Sequence, residues 1–419
     1  MLEYVIPGRR LALALVMGCF ALVVEASAPM TLQTAIQKTL GQNPQLHQFT
    51  FTQLKLQAQR ESTTLKPAYN LGLEVENFAG SGEMEGADSA EITVALSSVI
   101  ELGDKQQSRT AVAEARLNRF SLEQQAQTLD VLGALTRAFV HLLATQAEIQ
   151  LSEEALILSK ELLSAVSDRA RRGAASDAEV MRTRAMLTQS TIHRDNLRRR
   201  FEREQITLIR FWGETSPHFG SVEGELFAFG PSQSFDQLYD RVRASPAMAI
   251  FASDLRLRDV EVRLAQTQSR ADLSWQLGVR HFEETNDTGL TLGVSIPLFS
   301  SSRSRSSVNA ALAERNAAEY QQADRSLLLH GQLFNAFSQR QQFIASHDQL
   351  RQQVIPQLEE ALRITRKAYD RGALSFQDWV AAQRELLTAK QQRIEAATAA
   401  LINQATIEQL TAEPLTTSR

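Results

Sequence analysis

The chain is 419 residues long and holds a single cysteine, Cys19, so no intramolecular disulfide can form and a thiolate metal cage is excluded. Aromatic residues make up only 6% of the sequence, against 43% hydrophobic residues overall. Ala, Gln, Leu, Arg and Glu dominate instead, which is the composition of long helices and not of a mixed globule. A formal net charge of -4 supplies no basic field for nucleic acid. The seven histidines, His47, His141, His193, His218, His281, His330 and His347, are scattered without metal-binding spacing, and His141 and His193 read as helix-surface residues. Neither a phosphate-cradling glycine loop nor a Gly-x-Ser-x-Gly elbow is present, so the sequence offers no enzyme chemistry and calls for no cofactor.

What is present begins with an export signal. Arg9 and Arg10 precede an apolar run from Leu11 to Val24, too short to span a bilayer and the right length for a secretory leader. Cleavage after Ala26 fits best, because a cut after Ala28 places Pro29 at the scissile bond. A lipoprotein box, Val16-Met17-Gly18-Cys19 with Cys19 acylated, is the competing route; the apolar run continuing past Cys19 argues against it.

The chain then repeats itself at a spacing of about 200 residues. Asn43-Pro44-Gln45-Leu46 is echoed by Ser245-Pro246-Ala247-Met248, and Arg172-Gly173-Ala174-Ala175-Ser176 by Arg371-Gly372-Ala373-Leu374-Ser375. Each copy reads as helix, two strands, long helix, tight turn, helix. The implied organisation is a signal peptide over 1–26, a first repeat over 27–210, a connecting region over 211–244, a second repeat over 245–413 and a tail over 414–419.

Four segments alternate apolar and polar residues: about 69–78, 91–100, 272–282 and 289–298. Leu71, Leu73 and Val75, for instance, alternate with Gly72, Glu74 and Glu76. Their lengths suit strands with lipid outside and water inside. A soluble hairpin packed on helices has the same periodicity, and the export signal and repeat favour the membrane reading. Four strands cannot close a barrel and an open edge cannot rest in lipid, so several chains must share one barrel; three chains give about 12 strands, an allowed number.

Between Gly103 and Gly173 there is no proline and one glycine, Gly133, so roughly 70 residues form a helix of about 105 Å. Leu135, Leu142, Ile149, Leu156 and Leu163 recur every seventh residue, as do Val380, Leu387, Ile394 and Leu401, which implies antiparallel coiled-coil packing. Pro356 is expected to kink the matching helix of the second copy. At the hairpin tips, Gly173 and Gly372 supply left-handed turns, and Ser176 and Ser375 cap the next helices, with Glu179 and Asp378 completing capping boxes.

With these residues in order, the chain resembles the TolC-type outer-membrane efflux proteins, and more narrowly the CzcC-like branch of heavy-metal efflux systems. The resemblance rests on Leu32-Gln33-Thr34-Ala35-Ile36, Asn43-Pro44, Leu65-Lys66-Pro67, Glu74 to Glu83, Ile100 to Lys105, Ser295 to Phe299 and the two Gly-x-x-Ser tips. It implies a mainly α fold with a membrane β-barrel portion: a homotrimer sharing a 12-stranded barrel, with a helical tunnel reaching into the periplasm. Its implied partners are outer-membrane lipid, a periplasmic adaptor and an inner-membrane transporter of the resistance-nodulation-division type. Carried over by position, Asp378, Glu179 and Tyr369 fall at the narrow periplasmic mouth as gate residues, and Gly173, Ala174, Ser176, Gly372, Leu374 and Ser375 at the adaptor contact. Ala271-Asp272 stands where a proline often opens the third strand, and Ala412 where a glycine often ends the last helix. Of the acidic loops, His281 with Glu283, Glu284 and Asp287, or Glu83-Met84-Glu85, is the place to look for a metal, with a solvated loop the expected reading. A duct for drugs or for type I protein secretion, and an exported coiled-coil scaffold, are the competing functions.

Overall fold

The computed structural model describes residues 28–412 except Ser232; the signal peptide and the 414–419 tail expected from the sequence lie outside it. In the first copy, strand β1 (Met30–Thr31) leads into α1 (Leu32–Gln42) and α2 (Pro44–Thr63), then β2 (Asn70–Glu76), β3 (Glu91–Ile100), α3 (Lys105–Arg171) and α4 (Asp177–Ile209). A connecting segment with β4 (Val222–Glu223) follows. The second copy has α5 (Phe235–Ala244), α6 (Pro246–Gln268), β5 (Leu273–Phe282), β6 (Asp287–Ser295) and the short α7 (Ser300–Arg303). It continues through α8 (Arg305–Gln349), a π turn at Leu350–Val354, α9 (Ile355–Asp370) and α10 (Phe376–Thr411). Helix α5 precedes Ser245 as α1 precedes Asn43, so the repeat extends to these short helices.

Helix α3 runs uninterrupted for 67 residues, about 100 Å. Gly133 is tolerated in its middle because α10 needs the room: a Cβ there would stand 2.4 Å from the Oε1 of Gln409. That amide accepts from Arg137 at 2.7 Å and donates to Asp130 at 2.6 Å, fastening α10 to α3. Along the upper seam Leu135 and Leu142 are fully buried, with Ile394, Ala397 and Ala400 opposite. Toward the tips the buried residues move over by one, to Leu162, Val166, Trp379 and Leu386, while Leu163, Val380 and Leu387 become half-buried. The strict seven-residue expectation fails there because a nearly straight helix drifts by about 20° per heptad and α3 must serve both α4 and α10. In α8–α9 the break expected at Pro356 is a π turn that ends just before it, leaving Pro356 in the first turn of α9, where no backbone N–H is missed.

At mid-height the connecting segment packs Phe219, Val222 and Leu226 against Phe139, Leu142 and Leu143 of α3 and against Trp212. Its β4 pairs in parallel with β1, Met30 opposite Val222. Farther along, Phe227 and Phe229 enclose His347, which is 3% exposed; the Phe227 ring stacks on it at 5.5 Å and Phe229 meets it edge-on at 5.1 Å. Arg393 lies over the Phe227 ring at 4.2 Å and donates to the His347 Nε2 at 3.3 Å.

Candidate functional site

The four long strands form one antiparallel sheet in the order β2-β3-β5-β6, with β2 and β6 as free edges. Register places Leu71, Leu96, Leu277 and Leu292 in one row across all four strands, and Leu73, Val94, Val279 and Leu290 in the next. Among the described residues no element covers this face: Leu71 is 76% exposed, Leu292 76% and Leu290 83%. One row toward the helices, Tyr69 and Trp275 meet edge-on at 6.2 Å across Ser98, so aromatic rings border the apolar band. The band is what a strand surface in lipid requires, and the soluble alternative, a face packed on helices, is absent among the described residues. Strand limits differ from expectation by up to three residues, β6 beginning at Asp287 because the β5–β6 turn is only four residues long and Asn286 takes a left-handed φ of 56°.

The opposite face carries Glu74, Glu76, Glu91, Thr93, Arg280 and Asp287. Glu76 and Glu91 are directly paired across β2 and β3, an arrangement that like charges disfavour. Arg280 resolves it, donating to Glu91 at 2.7 Å, to Glu76 at 2.9 Å and to the Thr93 hydroxyl at 2.9 Å.

The two hairpin tips share one geometry. Gly173 has φ 72° and Gly372 φ 77°, and in each the glycine N–H and the next N–H close the helix, the former at 2.9 Å onto Ala170 and Tyr369 respectively. A Cβ at Gly173 would meet nothing within 4 Å, so the glycine is required by its dihedral and not by crowding. Gly173, Ala174, Ser176, Gly372, Leu374 and Ser375 all face solvent. Ser375 and Asp378 form the expected reciprocal box: the serine accepts from the Asp378 N–H at 3.2 Å, and the carboxylate accepts from the Ser375 N–H at 2.9 Å. The Ser375 hydroxyl also donates to the carboxylate at 2.6 Å, and this bond, with that from the Ser375 N–H, holds the Asp378 carboxyl below its ordinary range. Glu179 corrects the expectation for the other tip. Ser176 accepts from its N–H at 3.3 Å, but the longer carboxylate does not return to the cap; its charge acts on Tyr369 instead.

Tyr369 is 2% exposed, packed on Trp379 at 5.1 Å, and its hydroxyl is buried without a hydrogen-bond partner. Burial raises its pKa. The residue that joins the two tips is Arg169, which the sequence reading passed over. It stacks on the Tyr369 ring at 4.4 Å, donates to the Tyr369 carbonyl, and donates to the Ala174 carbonyl at 3.2 Å. In the sequence it is one arginine in Asp168-Arg169-Ala170-Arg171-Arg172, indistinguishable from ordinary positive charge at a helix C-terminus. Asp378, by contrast, is bound to its own cap and does not touch Tyr369 among the described contacts.

No group of three or more His, Cys, Asp or Glu side chains able to hold a metal comes together among the described residues. His281 lies 3.4 Å from Glu283, with Thr288 on its other nitrogen.

Comparison with known proteins agrees with this geometry. The profile of the family described as "Outer membrane efflux protein" matches residues 35–214 and 244–413, one match per repeat. The cobalt-zinc-cadmium resistance protein CzcC of Cupriavidus metallidurans is 23% identical over 366 residues, 87% of this chain and 86% of that one. The crystal structure of CusC superposes with a TM-score of 0.78 at 14% identity, covering 92% of this chain and 93% of the other. The CmeC outer membrane channel of Campylobacter jejuni gives 0.75 at 15% identity over 98% and 93%. The two-copy architecture, the uncovered apolar sheet and the family match over both copies lead to one assignment: the chain belongs to the outer membrane efflux protein family, with its strands in the outer membrane and its long helices in the periplasm.

Proposed function

We propose that three copies join β2 of one to β6 of the next, closing a 12-stranded barrel, and that the helices continue it as a tunnel whose periplasmic mouth is the ring of hairpin tips. The observation that carries this reading is the sheet itself, apolar and uncovered on one face and unpaired at both edges, which lipid tolerates only in a closed ring. The tips Gly173, Ala174, Ser176, Gly372, Leu374 and Ser375 then meet a periplasmic adaptor, and the duct completes a tripartite pump with a resistance-nodulation-division transporter. The relationship to CzcC supports heavy-metal cations such as cobalt, zinc, cadmium or copper as the cargo.

Tyr369 with Arg169 serves as the latch of the closed mouth, and Asp378 and Glu179 supply its acidic field; three carboxylates about an axis attract cations. Deletion of the gene tests the cargo: hypersensitivity to those metals supports it, while hypersensitivity to organic drugs alone, or a block in protein secretion, moves the duct to another pump class. Asp378→Ala tests the field and should weaken block of the channel by polyvalent cations.

A further inference from the structure

The two copies solve the same joint differently. In the first, α4 runs end-on toward α2, and Asn43 stitches them: its amide donates to the Phe211 carbonyl at 2.7 Å while its Oδ1 accepts from the Leu46 N–H at 3.0 Å, capping α2. Gly213 turns beside Pro44 to close the seam. In the second, α10 ends at the matching place, with Ala412 in the left-handed conformation that Gly213 takes in the first (φ 56° against 78°), and Ser245 replaces Asn43. Serine is too short to reach across. Its side chain makes no cap bond to α6, and its hydroxyl is buried, on a residue 3% exposed, with no hydrogen-bond partner.

Beside Ser245 lies a cavity of about 580 Å³, lined by Ser245 and by residues of α2, α3, α6, α8 and α10. Its wall is apolar where Phe49, Phe251, Leu329 and Leu410 face it. Arg325 also lines it, with Nε buried and without a hydrogen-bond partner. The carboxylates in the lining are engaged elsewhere, Glu123 with Arg119 at 2.9 Å and Asp130 with Gln409 at 2.6 Å. A buried hydroxyl, a buried guanidinium nitrogen and the positive end of a 23-residue helix therefore share one cavity without an anion between them.

We propose that this cavity binds a small organic carboxylate, its head held by Arg325, the Ser245 hydroxyl and the N-terminus of α6, and its apolar body against Phe49, Phe251 and Leu329. A guanidinium recognises a carboxylate through paired hydrogen bonds, and the apolar wall excludes a bare inorganic anion as the best fit. The site is lined by both repeats of a single chain, so the proposal stands apart from the barrel and pump reading.

The test titrates 2-naphthoate into the full-length protein, purified in a neutral maltoside, and follows naphthyl fluorescence. Saturable binding is expected, weakened about tenfold or more by Arg325→Gln and severalfold by Ser245→Ala. Ser245→Asn, which restores the stitch of the first copy, should abolish binding while leaving the assembled protein intact by size-exclusion chromatography. The alcohol 2-naphthylmethanol should bind no better to the parent than to Arg325→Gln. Absence of saturable naphthoate binding, equal binding to Arg325→Gln, or undiminished binding to Ser245→Asn overturns the proposal. Should Arg325→Gln fail to assemble, the two Ser245 variants decide the matter on their own.

Discussion

Replacing Arg169 by alanine should open the periplasmic mouth. The side chain makes charge-assisted hydrogen bonds to two carbonyls, one on each tip, and a cation–π contact with Tyr369 at 4.4 Å. Hydrogen bonds to a charged group contribute about 1.5–3 kcal/mol each, and a partly desolvated cation–π contact about 0.5–2 kcal/mol. These do not add, because water replaces some of what is lost, so a net change of about 2 kcal/mol per copy is the reasonable scale. That corresponds to roughly a 30-fold shift of the closed-to-open balance in each copy. Purified protein in planar bilayers reads this directly as longer open dwell times or higher mean conductance. Arg169→Lys separates latch from charge, since a lysine keeps the cation but lacks the planar fork that reaches both carbonyls; it should fall between parent and alanine. If both variants assemble normally and their conductance matches the parent, Arg169 is a helix-end residue and the latch reading is wrong.

Two further outcomes follow from geometry. Gly278→Val should prevent assembly, because even a Cβ there would stand 2.7 Å from the Thr291 Oγ1, 2.8 Å from the Val94 carbonyl and 2.9 Å from the Ala95 Cβ; Gly293→Ala, whose nearest neighbour is 3.7 Å away, is the tolerated control, and heat-modifiable migration on gels distinguishes them. His347, buried between two phenylalanines, has its pKa lowered from 6.5, chiefly by desolvation and also by Arg393 and Arg351, against the raising effect of Asp348. The folded state therefore holds fewer protons there than the unfolded state, so this stability is complete above about pH 6.5 and is lost as the pH falls through the lower folded value. The melting temperature of the parent should decline over that interval, and His347→Phe, which keeps the ring in its cage, should flatten the decline.

The sequence exposed those features whose information is local. Alternation placed Leu71, Leu73, Val94 and Leu292 on one face, and Gly-x-x-Ser placed both turns, because a strand's period and a left-handed dihedral are fixed by a few adjacent residues. The repeat did more, assigning each element of the second copy a counterpart in the first. Arg280 was readable as a polar-face residue, but its clamp on Glu76 and Glu91 depends on the β3–β5 register, joining residues nearly 200 positions apart. Arg169 escaped for the same reason, since its partner Tyr369 lies in the other copy. The heptad near the tips misled because periodicity records how often a helix turns, not which of two neighbours it must satisfy.

The π turn at Leu350–Val354 has a genetic consequence. A π turn holds one residue more than the α-helical path it replaces, so it shifts the phase of everything after it by about 100°. Leu350 packs beside Ile355, Leu386 and Ala389, but the other four residues are exposed, so substitutions at those four have little packing to disturb. Removing any one of the five would rotate α9 as a body, carrying Tyr369 off the face that meets Arg169, and would place Pro356 inside an uninterrupted helix, where its ring meets the carbonyl four residues before it. This joint should thus look unimportant in a substitution scan and indispensable in a deletion scan, a contrast that belongs to helical phase and not to side-chain chemistry.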